Sequence, residues 1–296
     1  MPLPLIDTHC HLDVEEFDQD RAQVLAEARA AGLVGIVVPG IHAAGWPRLL
    51  DFCASASDLH AALGLHPVYL AEHRPEHIAD LERALADSRP LAVGEIGLDF
   101  YQEGVDPARQ QALFEAQLSL ARDAGLPVLL HVRKAHDQVL ATLKRLRVRG
   151  GIAHAFNGSL QQAAQYLNLG FRLGFGGMLT FERSLRLRPL ARALPVEAIV
   201  LETDAPDLTV AAHHGSRNSP AYLPDVLAAL AQVRDADPAD LATQTTLNAC
   251  AVLGLPEPRS VRALAPHQAP EPRLSPTSGD GDPRLGEIPG ASTRDP

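Results

Sequence analysis

The chain has 296 residues, 46% of them hydrophobic, which is enough for one large core. Its 36 acidic and 26 basic residues give a net charge of −10, which argues against a broad basic face for holding nucleic acid but leaves room for a few local cations. Three cysteines, Cys10, Cys53 and Cys250, speak against a disulfide framework; with no leader-like N-terminus and no run of about 18 apolar residues, a cytoplasmic protein is expected.

The first apolar run, Leu3 to Thr8, leads into His9, Cys10 and His11. In an extended chain alternate side chains share a face, so His9 and His11 point one way and Cys10 the other. Two imidazoles on one side can hold one ion, while Cys10 reads as a small buried hydrophobe. Seven further runs follow: Leu33 to Pro39, Leu59 to Leu65, Leu91 to Ile96, Pro127 to Val132, Gly151 to Ala155, Phe171 to Phe175 and Ile199 to Thr203. Helical periodicity fills the gaps, as over Asp18 to Ala31, Pro107 to Ala124 and Ser159 to Asn168, with Gly32, Gly125 and Gly170 suited to C-caps.

Eight short strands alternating with helices predict an α/β fold closed into a TIM (β/α)8 barrel over residues 1–255. Two more helices, Pro224 to Val233 and Pro238 to Leu253, would complete the outer ring and pack over one end. From Pro256 onward the composition changes, with nine of the 24 prolines and no Phe, Tyr or Trp, so the tail 256–296 is expected to be disordered.

In such a barrel the active site lies at the C-terminal ends of the strands. His9 and His11 end the first run, His66 follows the third, Glu95 sits in the fourth, His131 ends the fifth, His154 the sixth, and Asp204 follows the eighth. Any one of these could be a satisfied structural residue. Four imidazoles and two carboxylates buried together would be costly without cations, and divalent ions supply them. Six ligands exceed what one tetrahedral ion needs, whereas two ions about 4 Å apart sharing a carboxylate use them well. Hydrolysis by an acidified water is the implied chemistry, and mixed N and O ligands admit Mg, Mn or Zn among others. Arg133, Lys134, Asn157, Arg217 and Asn218 follow these positions and could hold a substrate phosphate. Asp99 could orient a ligand or cap a loop.

Seven stretches then place the chain in a family: Asp7-Thr-His-Cys-His-Leu, Gly64-Leu-His-Pro, Gly94-Glu-Ile-Gly-Leu-Asp-Phe, His131-Val-Arg-Lys-Ala, His154-Ala-Phe-Asn-Gly, Glu202-Thr-Asp-Ala-Pro and Arg217-Asn-Ser-Pro-Ala-Tyr. From Ile6 to about Leu255 the sequence closely resembles the TatD family of metal-dependent deoxyribonucleases, in the amidohydrolase-like group. The resemblance implies a binuclear centre with His9, His11, Glu95 and Asp204 on one ion and Glu95, His131 and His154 on the other, Glu95 bridging. It also implies hydrolysis of DNA, trimmed as single strands from the 3′ end, with Asp204 positioning or deprotonating the water and His66 and Arg217 touching phosphate. The family usually carries Cys and Thr within the stretch here written His154-Ala155-Phe156-Asn157, and a longer, more basic segment before Arg217. An ester or amide hydrolase on the same ligands, such as a D-aminoacyl-tRNA deacylase or a cyclic amidohydrolase, is the alternative chemistry. A silent scaffold using the barrel only to bind partners is the third.

Overall fold

The computed structural model describes residues 2–101, 104 and 106–264, with side chains to 261. Strands and helices alternate in the order β1 Leu5–Asp7, α1 Arg21–Ala30, β2 Leu33–Pro39, α2 Trp46–Ala54, β3 Leu59–Leu63, α3 Glu76–Ser88, β4 Ala92–Asp99, α4 Pro107–Ala124, β5 Val128–Arg133 and α5 His136–Leu146. They continue with β6 Gly151–Ala153, α6 Leu160–Asn168, β7 Phe171–Phe175, α7 Leu187–Ala193, β8 Ile199–Leu201, α8 Leu223–Arg234, α9 Pro238–Leu253 and α10 Arg259–Leu264.

Each strand pairs in parallel with the next, in the order β1 to β8. Across the remaining seam the Thr8 N–H donates to the Leu201 carbonyl at 3.0 Å and the Asp204 N–H to the His9 carbonyl at 2.8 Å. The expected TIM barrel is therefore formed, with each of its strands inside or beside the run that predicted it. β4 reaches Asp99, three residues beyond its apolar run, because Leu98 and Asp99 stay paired with Val132 and Arg133. Gly97, at φ +153, permits that approach: a Cβ there would lie 1.9 Å from the His131 carbonyl oxygen.

The helices start and stop where local chemistry allows. Asp106 accepts from the Ala108 and Arg109 N–H groups ahead of Pro107, and α4 ends at Gly125 with φ +67. Ser159 and Gln162 form a reciprocal capping box on α6.

Two hydrophobic layers result. One lies between sheet and helices; the other fills the barrel with Ile6, Val37, Ala62, Leu129, Ile152 and Val200, closed below by Ala249, Cys250 and Leu253 of α9. Thr246 donates to the Pro4 carbonyl, and Asn248 donates to the Val196 and Ile199 carbonyls, so α9 covers the strands' N-terminal end. Beyond residue 255, α10 forms with Val261 buried, while 265–296, most of the segment expected to be disordered, lies outside the described residues. No helix among the described residues is long and apolar enough to cross a membrane.

Candidate metal centre and active site

The strand ends bring all six expected ligands to one point. His9 and His11 follow β1 in extended chain with their Nε2 atoms 3.3 Å apart, and Cys10 turns away into the hydrophobic layer, as the alternation predicts. Glu95 from β4 lies between the imidazoles: its Oε2 is 3.1 Å from His9 Nε2 and 3.4 Å from His11 Nε2, and its Oε1 is 3.0 Å from His131 Nδ1. Asp204 Oδ1 is 3.6 Å from Nε2 of both His9 and His11, and Oδ2 is 3.7 Å from His154 Nε2. Asp204 itself sits at φ +60, a conformation an ordinary residue adopts only when its surroundings fix it.

Protonation of the far nitrogen decides whether each ring can serve as a ligand. His11 Nδ1 faces the Pro39 carbonyl at 3.2 Å, which can only accept, so the neutral ring turns a lone pair on Nε2 toward the site. Asp99 Oδ2 does the same for His131 Nε2 at 3.0 Å, leaving Nδ1 toward Glu95. Glu202 Oε1 holds His154 Nδ1 at 3.2 Å while also accepting the Ala155 N–H at 2.6 Å. Carboxylates and carbonyls behind metal-ligating histidines are the usual orienting device.

His66 differs. Its Nε2 lies 3.2 Å from Glu95 Oε1, and with Glu95 and His131 it forms one of three trios whose ligand atoms fall within 4.8 Å of one another. Yet its Nδ1 accepts the Val68 N–H at 3.1 Å, which puts the neutral ring's proton on Nε2. Burial holds its pKa down to about 4, so the ring stays neutral and is a donor rather than a ligand. His73 steadies it by donating to the His66 carbonyl at 2.8 Å.

The charges show what the cluster lacks. Burial resists the charged form of His154, yet the Asp204 and Glu202 carboxylates outweigh it and push its pKa up to about 10. His11 is likewise opposed by burial and raised to about 9 by its hydrogen bond to Glu95 and by the carboxylates around it. Burial works against the Glu95 carboxylate too, but the imidazoles around it, with hydrogen bonds from His11 and His131, hold it well below the usual range. Asp204 is raised to about 6 by burial, with His154 and His11 pulling the other way. His9 stacks on His154 with ring centroids 3.7 Å apart and, chiefly through burial, is held neutral. Buried carboxylates here gather protons onto neighbouring imidazoles, which is the demand a divalent cation satisfies. The fit is also geometric: separations of 3.1–3.8 Å across His9, His11, His154, Glu95 and Asp204 lie around the roughly 3.4 Å expected between two ligands of one tetrahedral ion.

The expected substrate contacts divide. Arg133 and Lys134 are exposed at the end of β5, against the ring of Tyr101. Arg217 is tied to Asp20 through two hydrogen bonds of 3.0 and 2.6 Å and lies over the Phe17 ring, so it reaches substrate only by leaving that pair. Asn218, expected to face substrate, is instead fully buried, and its amide donates to the Thr203 and Asp207 carbonyls. Asn157 accepts from His136 at 3.1 Å.

Two carboxylates carry roles that the sequence did not reveal. Glu202 orients His154; its motif position was visible, but not which way it turns. Asp7 accepts from Thr203 Oγ1 at 2.6 Å and from the Thr203 and His9 N–H groups, locking the end of β1 to the end of β8, with burial raising its pKa to about 7.

An eight-stranded parallel barrel with a buried histidine–carboxylate centre at its C-terminal mouth defines a metal-dependent hydrolase. Comparison with known sequences agrees. The chain belongs to the TatD family: the family described as "TatD related DNase" matches residues 6–254. A protein from Escherichia coli K12 named "Uncharacterized metal-dependent hydrolase YjjV" is 41% identical over 247 residues, covering 82% of this chain and 95% of that one. The "3'-5' ssDNA/RNA exonuclease TatD" of Klebsiella pneumoniae is 34% identical, covering 85% and 98%. The crystal structure of the E. coli YjjV protein superposes with a TM-score of 0.82 at 38% identity, covering 85% of this chain and 98% of that one.

Proposed function

We propose that this protein is a divalent-metal-dependent nuclease that hydrolyses DNA phosphodiester bonds, trimming single strands from the 3′ end. The observation that carries the reading is Glu95, one carboxylate within 3.4 Å of His9 and His11 on one side and of His131 on the other. A carboxylate so placed would hold a pair of cations together, an arrangement that phosphoryl-transfer sites use. His9, His11, Glu95 and Asp204 would hold one ion and Glu95, His131 and His154 the other, with Mg, Mn or Zn suited to the mixed ligands. Bound there, such ions acidify water and offset the charge of a phosphate under attack.

The protein's own groups then divide the work. Asp204, with Oδ1 toward His9 and His11 and Oδ2 toward His154, orients the attacking water and accepts its proton. His66 Nε2–H is the neutral donor aimed into the site and can turn from Glu95 to a phosphate oxygen. Arg133 and Lys134 supply charge at the rim of an otherwise acidic protein. The name of the Klebsiella relative supports the substrate class and the direction.

The test is hydrolysis of a 5′-labelled single-stranded DNA oligonucleotide by metal-stripped protein resupplied with Mg, Mn or Zn, beside Asp204→Ala. A metal-dependent ladder shortening from the 3′ end, reduced at least about 10²-fold in the variant, is the expected result. No cleavage with any ion, despite bound metal, would move the assignment to an ester or amide substrate. Glu95→Ala is expected to disturb both ions, and full metal content in that variant would end the bridging role.

A further inference from the structure

Past His131, β5 ends on the exposed Arg133, and the exposed Lys134 follows it directly. Lys134 is held at φ +54, a conformation that costs energy in a non-glycine residue and collects at functional sites. Among the described residues neither cation has a carboxylate partner, in contrast to Arg217, which Asp20 holds. What they share is Tyr101: the Arg133 guanidinium lies 3.8 Å from its ring centroid and the Lys134 ammonium 4.6 Å. Even so covered, Tyr101 is 52% exposed, and it is the one aromatic among the large exposed side chains of the described residues. Its placement is fixed from beneath. The Tyr101 N–H donates to Asp99 Oδ1 at 2.9 Å, and the other oxygen of Asp99 holds His131 Nε2 at 3.0 Å, so one carboxylate positions both the aromatic ring and a metal ligand.

On the nuclease reading above, we infer that Tyr101 with Arg133 and Lys134 forms a subsite for an unpaired nucleotide beside the scissile bond. The ring stacks one base and the two cations take the adjoining phosphate. Every base offers a π face, so such a platform accepts any sequence, and a duplex, whose bases already stack on one another, cannot use it. Both cations can swing to a phosphate without breaking an ion pair. Arg133 stands about 6.6 Å along the strand from His131, a step comparable to the spacing of phosphates in an extended single strand.

The subsite is tested by fluorescence anisotropy of the metal-loaded protein with a labelled oligothymidine whose phosphorothioate linkages resist hydrolysis, alongside trimming of ordinary DNA. Tyr101→Ala is expected to weaken binding about tenfold and to raise KM with little change in kcat, while Tyr101→Trp restores both. The double variant Arg133→Ala with Lys134→Ala should flatten the salt dependence of binding by about 1.4 log units per log unit of salt. Unchanged binding by Tyr101→Ala, or failure of the Trp variant to restore it, overturns the subsite. So does a wild-type protein that does not bind the strand, and trimming of ordinary DNA by the same preparation then shows whether the nuclease reading stands without it.

Discussion

Behind each of the candidate ligand imidazoles His11, His131 and His154 stands an oxygen that fixes its tautomer, and Glu202 carries the most in that role. Its Oε1 serves both His154 and the Ala155 N–H, and its Oε2 occupies the space that Gly174 leaves open: a Cβ there would lie 2.1 Å from it. Glu202→Gln keeps the shape but removes the charge, and a 10- to 100-fold loss of metal affinity is expected by titration calorimetry on folded protein. An unchanged affinity would show that Ala155 alone needs the oxygen. His136 makes a separate test. Burial lowers its pKa, and its partners, Tyr166 Oη and Asn157 Oδ1, are neutral. The unfolded chain therefore binds the proton first as pH falls below about 6.5, and stability drops with it. His136→Gln should lose less of its thermal midpoint between pH 7.5 and 5.5 than wild type, and an equal loss would refute the assignment. The six candidate ligands were legible because five stand where an apolar run stops and the sixth, Glu95, is a lone carboxylate inside one. Glu202 and Asp7 were not, since a sequence shows that a carboxylate sits near a strand end but not whether it faces the mouth or braces a neighbour. Asn218 failed for the same reason: its partners, the Thr203 and Asp207 carbonyls, are defined only by the folded loop.

Among the elements, α9 is the one whose place matters most. Its bounds, Pro238 to Leu253, and its packing over one end were expected from the sequence; Asp237 caps one end and Gly254 the other, but which end it closes depends on contacts across the whole chain. Asn248 is buried there, and its amide donates to the Ile199 carbonyl at the start of β8 and to the Val196 carbonyl in the turn before it, with Oδ1 accepting from Gln244. Asn248→Ala removes the side-chain donor from both carbonyls, of which Val196 keeps the Ile199 N–H, and is expected to cost about 2 kcal/mol, lowering the thermal midpoint by about 4–8 °C. Turnover per folded molecule should be unaffected, because the mouth is at the opposite end. A variant as stable as wild type would mean that other groups or water take over both carbonyls. Strands β1, β6 and β8, three residues each, are shorter than their apolar runs because the chain beyond them leaves the ladder to present His9, His154 and Asp204.

For the molecule as a whole, metal and fold are linked, since the folded state gathers ligands that the unfolded chain scatters. Ions at 100 times their dissociation constant add about 2.7 kcal/mol of apparent stability, so a chelator should lower the thermal midpoint reversibly and resupplied metal restore it. A midpoint indifferent to chelator would contradict the centre described here. Closure of the barrel was the part least open to sequence reasoning, because alternating strands and helices also build open sheets; the Thr8 to Leu201 hydrogen bond distinguishes the two. With α9 sealing one end and packed side chains filling the interior, the barrel has a single doorway. Whatever is cut must leave by the route its successor enters, so released product and incoming substrate compete for the same threshold, and competitive product inhibition is the kinetic mark such a dead-end architecture should leave.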